Sequence, residues 1–201
     1  MLKWLIRNRL AAFQRKFGYD LDYARAILDA DAAAFLRFAR LDGITRYRRD
    51  VPVDVYYAVK LVTTLGEDCG PCTQLVVAMA LHDGVAPRAI ATILEGTDAM
   101  MSDDVRLGVH FARALAARDL AADELRERIV ARWGARALVS LAFAITAARV
   151  YPTVKYALGF GKACQRIVVA GETVTPRAPA AHATAPAATA SRPAATVARA
   201  P

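Results

Sequence analysis

Two cysteines, Cys69 and Cys72, are the residues of this chain best suited to chemistry. They form a Cys-Gly-Pro-Cys tetrapeptide, in which thiols three positions apart can close a disulfide without a large backbone movement. Asp68 or Cys69 is the predicted N-cap of an apolar helix, whose unpaired N–H groups and dipole favour an anion. Because a thiolate is such an anion, the pattern predicts a reactive thiol pair.

The chemistry expected of such a pair is reversible oxidation. One thiolate attacks an oxidant, the partner resolves the sulfenic acid to a disulfide, and an external reductant restores both thiols. Glu67 and Asp68 precede the pair and oppose thiolate formation by like-charge repulsion, unless one of them is protonated and acts as a proton donor. Glu67 therefore joins Cys69 and Cys72 as a candidate catalytic residue.

Two other interpretations of the pair remain open. A zinc site would need two more ligands, and the sequence has no second Cys-x-x-Cys and no His-x-x-x-His motif. The other interpretation is a chance pair of cysteines on a buried helix. The third cysteine, Cys164, is expected to be a small buried hydrophobic residue on the last helix.

The elements that position the thiols are predicted to be helices, and the predicted fold class is all-α. Apolar residues recur at spacings of three and four, and no alternating strand or hairpin turn is recognised. Capping residues, glycines and prolines divide the chain into predicted helices at about 2–17, 21–41, 52–66, 70–82, 87–95, 103–118, 122–133 and 136–169, the last kinked or broken at Pro152.

Thioredoxins contain the same Cys-Gly-Pro-Cys tetrapeptide on a different scaffold. A thioredoxin needs a strand that leads into the tetrapeptide and a sheet beside it. Here the segment before Cys69 has helical periodicity, and no strand is predicted to follow. The tetrapeptide is shared with thioredoxins, but the predicted fold is not.

Composition divides the chain into three parts. Residues 1–49 are predicted to be an N-terminal helical extension, and 50–171 the helical domain that contains the thiols. From Glu172 the sequence is mostly Ala, Pro, Thr and Arg. Such a segment buries too little apolar surface to offset its ordering entropy, so 172–201 is predicted to be a disordered tail.

The charge and the cysteine content of the chain indicate which partners and which cellular compartment to expect. The net charge is +8, but no nucleic-acid-binding motif accompanies the basic clusters, so they are expected to be solvated surface and no nucleic acid is expected as a partner. Three cysteines fit a reducing compartment, and no signal peptide or membrane span is recognised, which predicts a cytoplasmic protein. The amphipathic helix at 2–17 can lie on a membrane surface, or pack on the domain or on another subunit.

The order of several segments resembles the alkylhydroperoxidase D and carboxymuconolactone decarboxylase superfamily. The similar segments cover roughly residues 50–150 and are DCGPCTQ at 68–74, HDGVAPRAIATILEG at 82–96, DDVRLGVHFARALA at 103–116, DELRER at 123–128, WG at 133–134 and LVSLAFAI at 138–145. The resemblance implies an all-helical fold, a homo-oligomer and a cysteine pair near subunit contacts. In the peroxidase branch the second cysteine attacks the hydroperoxide and the first resolves it, which implies Cys72 as the attacker and Cys69 as the resolver.

The residues of the family's proton relay are absent. The peroxidase branch has a glutamate about a dozen residues before the first cysteine, a histidine directly before the second cysteine and another four residues after it. Tyr57, Pro71 and Val76 hold these places here. Glu67, Tyr57 and Lys60 are candidate replacements. A polar cluster at the helix break, Tyr151, Lys155 and Tyr156, can line a site, but a solvated surface is the favoured interpretation.

Two hypotheses of function follow. The first is a thiol-dependent peroxidase or thiol-disulfide oxidoreductase that needs a hydroperoxide, an external thiol or disulfide reductant and no cofactor. The second, motivated by the missing relay, is a non-catalytic helical oligomer or binding module that responds to redox state. Peripheral membrane contact through the first helix would deliver the thiols to lipid hydroperoxides.

Overall fold

The computed structural model of the chain describes residues 1–161 and 167–177. Within these residues the chain is mostly helical, with only two short strands, which confirms the all-α fold class. The elements are α1 (Leu2–Phe17), α2 (Asp22–Ala30), α3 (Ala32–Ala39), α4 (Leu41–Thr45), α5 (Val53–Gly66), α6 (Gly70–His82), α7 (Pro87–Glu95), a 3-10 turn (Asp98–Met100), α8 (Asp103–Ala117), α9 (Ala121–Trp133), α10 (Ala135–Ala157), β1 (Ile167–Val169) and β2 (Glu172–Val174).

Helix α5 lies at the centre of the main helical body and packs against α6, α7, α8 and α10. Its side chains are buried on most sides, with Val55, Val59 and Leu61 fully buried. Gly108 lets α8 approach closely, because a Cβ atom at that position would lie 2.8 Å from Cγ1 of Val55. This packing fixes the helix that leads into the cysteine pair.

Helices α1 to α3 form a second layer, called the N-terminal layer below. Its buried residues are Ile6, Tyr19, Leu21, Tyr23, Ala24, Leu28 and Phe35. They pack against Leu75 of α6 and against Tyr151 and Val154 of α10. Helix α1 thus packs on the chain's own helices, while Leu2, Trp4 and Leu5 remain exposed near its start.

The single helix predicted over 21–41 is wrong, because the chain breaks at Asp31. Asp31 has an extended backbone with φ −156°, and its carboxylate accepts a hydrogen bond from the Ala33 N–H at 2.7 Å. An aspartate at an N-cap satisfies a helix N–H and so favours a new helix start over continuation. Gly43, expected just past the helix end, lies inside α4.

Pro152, where a kink or a break is predicted, does not break the helix. Helix α10 continues through Pro152 to Ala157. Pro152 is buried, and its neighbours Tyr151 and Val154 pack against the N-terminal layer. Tertiary packing on both sides of the proline thus outweighs the lost backbone hydrogen bond. The helix predicted to resume over 153–169 ends at Ala157 instead.

A small antiparallel hairpin of β1 and β2 follows, with Val168 paired to Thr173. Its two-residue turn, Ala170 and Gly171, has φ values of 49° and 90°, which suit the twist of a hairpin. The tail predicted from Glu172 therefore begins too early, because Glu172–Val174 is strand β2. The rest of the predicted tail, from 178, and Cys164 lie outside the described residues.

Helix α10 is longer than the apolar run of about 12 residues recognised in the sequence. With 23 residues and a mean hydropathy of 1.5 over an 18-residue window, it is long and apolar enough to cross a membrane. That window is 44% buried within the structure, and the helix packs against α5 and α9.

Candidate functional site

The cysteine pair lies at the start of α6. Cys69 is the N-cap and Cys72 lies in the first turn, and their sulfurs form a disulfide with a Cα–Cα distance of 5.2 Å. Asp68, with φ of 50°, turns the chain from α5 into this position. Cys69 is 0% exposed and Cys72 is 4% exposed, so the helix N-terminus acts on sulfurs that are shielded from water.

Two residues distant in sequence reach the sulfur of Cys72. The hydroxyl oxygen of Tyr19, in the loop between α1 and α2, lies 3.9 Å from Cys72 Sγ. Lys155 of α10 in turn donates a hydrogen bond from Nζ to the Tyr19 hydroxyl at 3.3 Å. Tyr19 and Lys155 are both buried. The structure thus places a phenol against one of the two sulfurs and an ammonium group against that phenol.

Aromatic rings surround this ammonium group. Lys155 Nζ lies 4.8 Å from the centroid of the Tyr19 ring and 5.5 Å from that of Tyr23. The two rings meet edge to face. Burial is the main reason why the pKa of Tyr19 and the pKa of Tyr23 are raised above the usual value for a phenol. Both phenols are consequently protonated at neutral pH.

Glu67 is held by a residue of α10. It follows α5 as the C-cap, and its Oε1 lies 3.1 Å from Nε of Arg149. Arg149 Nε is buried and forms no aligned hydrogen bond within the described part of the chain, so the contact is an ion pair rather than a directed bond. The guanidinium offsets the negative charge that precedes the cysteines.

Tyr57 does not lie beside the cysteines, as a replacement for the family's glutamate would. Its hydroxyl donates to Oδ2 of Asp83 at 2.5 Å. Asp83 follows the C-terminal end of α6, eleven residues after Cys72, which is roughly 16 Å along a helix. The Tyr57 hydroxyl is therefore at the opposite end of α6 from the disulfide.

Lys60 belongs to the same distant cluster. Its Nζ lies over the rings of Tyr56 and Tyr57, at 5.0 Å and 5.6 Å from their centroids. Burial lowers the pKa of Lys60 to about 8, against the opposing influence of the Asp83 and Asp42 carboxylates. Neither Tyr57 nor Lys60 takes the place of the missing relay at the sulfurs.

Two further polar residues brace the segment around the cysteines. Gln74 donates from Nε2 to the Val168 carbonyl at 2.8 Å and accepts from the Val168 N–H at 2.9 Å, which fastens β1 to α6. Tyr156 donates from its hydroxyl to the Asp68 carbonyl at 2.8 Å. Gln74 thereby joins elements 94 residues apart in the sequence.

Sequence reasoning missed Tyr19 as a site residue. No motif surrounds it, and only the packing of the N-terminal layer on α6 brings it to Cys72. Lys155 was recognised within the cluster at Pro152, but its expected solvation is wrong, because it is 3% exposed. The sequence signal for the burial of Lys155 is its position on a mostly apolar stretch of helix.

Other polar sites lie apart from the disulfide. A groove of about 740 Å³ between α8 and α9 is lined mainly by charged side chains, among them Asp104, Arg128 and Arg132. Among residues 1–161 and 167–177, no group of three or more His, Cys, Asp and Glu side chains is placed to hold a metal ion.

Comparison of the chain with family models, with curated proteins and with solved structures gave no match. The resemblance to the alkylhydroperoxidase D superfamily therefore stays a prediction, as do the homo-oligomer, the cytoplasmic location and the membrane contact of α1.

Proposed function

We propose that this protein is a thiol-dependent peroxidase, a thiol-disulfide oxidoreductase that reduces a hydroperoxide through Cys72 and Cys69. The observation that supports the proposal is the Cys69–Cys72 disulfide at the N-terminus of α6. A dithiol in this position has a helix dipole to stabilise its thiolate and a partner near enough to trap the oxidised product.

The proposed cycle transfers two electrons from the thiols to the peroxide. The Cys72 thiolate attacks one peroxide oxygen, the O–O bond breaks, and an alcohol or water leaves after taking up a proton. Cys69 then attacks the sulfur of the Cys72 sulfenic acid, which releases water and forms the disulfide. An external dithiol reduces the disulfide and is itself oxidised.

Burial of the disulfide favours a small oxidant. Because Cys69 and Cys72 are 0% and 4% exposed, a bulky substrate cannot reach either sulfur without a rearrangement of the surrounding helices. Hydrogen peroxide or a small organic hydroperoxide fits this access better than the disulfide of a folded protein. We therefore expect the rate of oxidation to fall as the hydroperoxide becomes larger.

Stopped-flow oxidation of the reduced protein tests the proposal. Hydrogen peroxide and a bulky organic hydroperoxide are compared, and mass spectrometry then locates the disulfide. We expect fast Cys69–Cys72 bond formation, loss of peroxide consumption in Cys72→Ser, and full consumption in the control Cys164→Ser. Full turnover by Cys72→Ser, or wild-type oxidation no faster than that of a free thiol, would contradict the peroxidase.

A redox-responsive module without turnover is the second candidate. The burial of both sulfurs favours it, because a shielded disulfide exchanges slowly with substrates. This candidate predicts that oxidation changes oligomer size or partner affinity while peroxide consumption stays near the uncatalysed rate. Size-exclusion chromatography of the reduced and oxidised protein, with a parallel peroxide assay, separates the two candidates.

A further inference from the structure

The contact that distinguishes the two sulfurs is the one between Tyr19 and Cys72. The Tyr19 hydroxyl lies 3.9 Å from Cys72 Sγ and 3.3 Å from Lys155 Nζ. The three residues come from the α1–α2 loop, α6 and α10. Each is at most 4% exposed, so the chain of contacts is shielded from water.

The direction of the hydrogen bonds follows from the groups themselves. An ammonium group has only donors, so the Tyr19 oxygen accepts from Lys155. The phenolic proton of Tyr19 is then free to point toward the Cys72 sulfur. A donor whose own oxygen accepts a bond from a cation is polarised, and such a donor stabilises an anion more strongly in a shielded site.

We propose that Tyr19 and Lys155 stabilise the Cys72 thiolate and thereby make Cys72, rather than Cys69, the attacking cysteine. Tyr19 touches the reacting sulfur and is the catalytic residue of the two, whereas Lys155 acts through Tyr19 and is a positioning residue. The inference deepens the proposed peroxidase and rests on it, because it supplies the stabilisation that the family's missing relay would give. The proton that Cys72 loses passes to solvent before the oxidant arrives.

Other charged or titratable groups face this chain of contacts. Tyr23 of α2 forms a hydrogen bond with Tyr19 and packs on Lys155, and Tyr151 lies on α10 itself. Asp20 follows Tyr19 in the loop and is exposed, so water screens its unfavourable effect on a thiolate. Glu67, just before the pair, is offset by Arg149. Lys155 is a buried cation that reaches the Cys72 sulfur through a single intervening group, the Tyr19 hydroxyl.

The test measures the pKa of the Cys72 thiol in a chain where it is the only cysteine. Cys69→Ser combined with Cys164→Ser leaves Cys72 alone, since the sequence has three cysteines. The rate of alkylation by iodoacetamide is followed as a function of pH. We expect a pKa below the usual value of roughly 8.5, and a rise of about one unit or more in Tyr19→Phe and in Lys155→Met.

Two matched controls separate charge from packing. Tyr57→Phe removes a phenol hydroxyl that contacts Asp83 at the far end of α6, and Lys60→Met removes a buried lysine of that same distant cluster. Both controls should leave the Cys72 pKa unchanged. Tyr19→Phe retains the buried ring. If circular dichroism shows that Lys155→Met is unfolded, the Cys72 pKa in Tyr19→Phe is sufficient to test the inference.

The outcomes distinguish this inference from the proposed function. A Cys72 pKa that is the same in Tyr19→Phe, Lys155→Met and their background overturns the inference even where the wild type consumes peroxide. A shifted pKa in a wild type that does not consume peroxide upholds the thiolate stabilisation and overturns the peroxidase. An equal shift in Tyr57→Phe or Lys60→Met also overturns the inference, because it would show that a substitution distant from the sulfur changes the thiol as much.

Discussion

Two buried lysines lie over pairs of tyrosine rings, and the two clusters differ in what the tyrosine hydroxyl contacts. Lys155 lies over Tyr19 and Tyr23, and the Tyr19 hydroxyl reaches a sulfur. Lys60 lies over two adjacent tyrosines of its own helix, one of which bonds to the Asp83 carboxylate. The first cluster is called the sulfur cluster and the second the carboxylate cluster below.

The role of each buried lysine depends on which group the neighbouring tyrosine hydroxyl contacts. In the carboxylate cluster the tyrosine partner is the Asp83 carboxylate, which opposes the lowering of the Lys60 pKa by burial, and the arrangement is typical of a structural brace. In the sulfur cluster the partner carries a charge only when Cys72 is ionised. A buried lysine therefore has a carboxylate that offsets part of the cost of its burial at one end of α6, and at the other end it can favour the ionisation of a thiol.

The largest expected effect concerns the N-terminal layer, on which only the sulfur cluster depends. Leu28 is 0% exposed in that layer, so Leu28→Ala leaves a cavity and should lower the free energy of unfolding by about 3 kcal/mol. Urea denaturation followed by circular dichroism measures it. The control, Leu36→Ala on α3, removes a 43% exposed side chain and should change stability by no more than about 0.5 kcal/mol. Equal losses in both variants would contradict this packing.

The carboxylate cluster predicts a pH dependence of stability. The pKa of Lys60 is about 8 in the folded chain, lowered by burial from 10.5, the value that applies to the solvated side chain of the unfolded chain. Below pH 8 Lys60 is protonated in both the folded and the unfolded chain, so the full cost of burying its charge lowers the stability of the fold. Between pH 8 and 10.5 the unfolded chain binds the extra proton, so the contribution of Lys60 to stability rises with pH.

Lys60→Met removes this pH dependence. We expect the variant to gain most over the wild type below pH 8, and the gain to shrink by on the order of 1 to 2 kcal/mol between pH 7.5 and 9.5. Urea denaturation of both proteins at several pH values measures the difference. Lys3→Met, at an exposed position of α1, should show a constant difference over the same range. A constant difference for Lys60→Met as well would show that its ammonium is solvated.

A smaller effect on stability tests whether the two clusters, at opposite ends of α6, are independent. Tyr57→Phe removes the hydrogen bond to Asp83, which is exposed and can bond to water instead, so stability should fall by about 1 kcal/mol. The alkylation rate of Cys72 should not change, because the Tyr57 hydroxyl lies at the far end of the helix. A marked change in that rate would show that the two clusters are coupled through α6.

Most of the fold could be predicted from the sequence, because local signals decide where these helices begin and end. Helix α7 is bounded by Pro87 and Gly96, and Ser102 caps α8 by accepting from the Val105 N–H, as the sequence indicates. The errors occur where tertiary packing or a single cap outweighs periodicity, at Asp31 and Pro152. The hairpin was missed because its strands are three residues long.

The candidate site could be predicted only in part. Cys69 and Cys72 are neighbours in sequence, so their proximity follows from the spacing. Tyr19 lies 53 residues before Cys72, and Lys155 lies 136 residues after Tyr19. Contacts at such separations depend on how whole layers pack, which no local pattern encodes. The carboxylate cluster is the opposite case, because Tyr57 and Lys60 are one turn apart on α5.

The smallest expected effect tests whether the hairpin belongs to the sulfur cluster. Gln74 and Cys72 are two positions apart on α6 and so point to nearly opposite sides of the helix. Gln74→Ala removes both bonds to Val168 and should lower stability by about 1 kcal/mol, with faster hydrogen exchange at the Val168 amide. The alkylation rate of Cys72 should stay that of the wild type. A faster rate would mean that the hairpin shields the sulfur, and access to Cys72 would then depend on β1 as well as on the N-terminal layer.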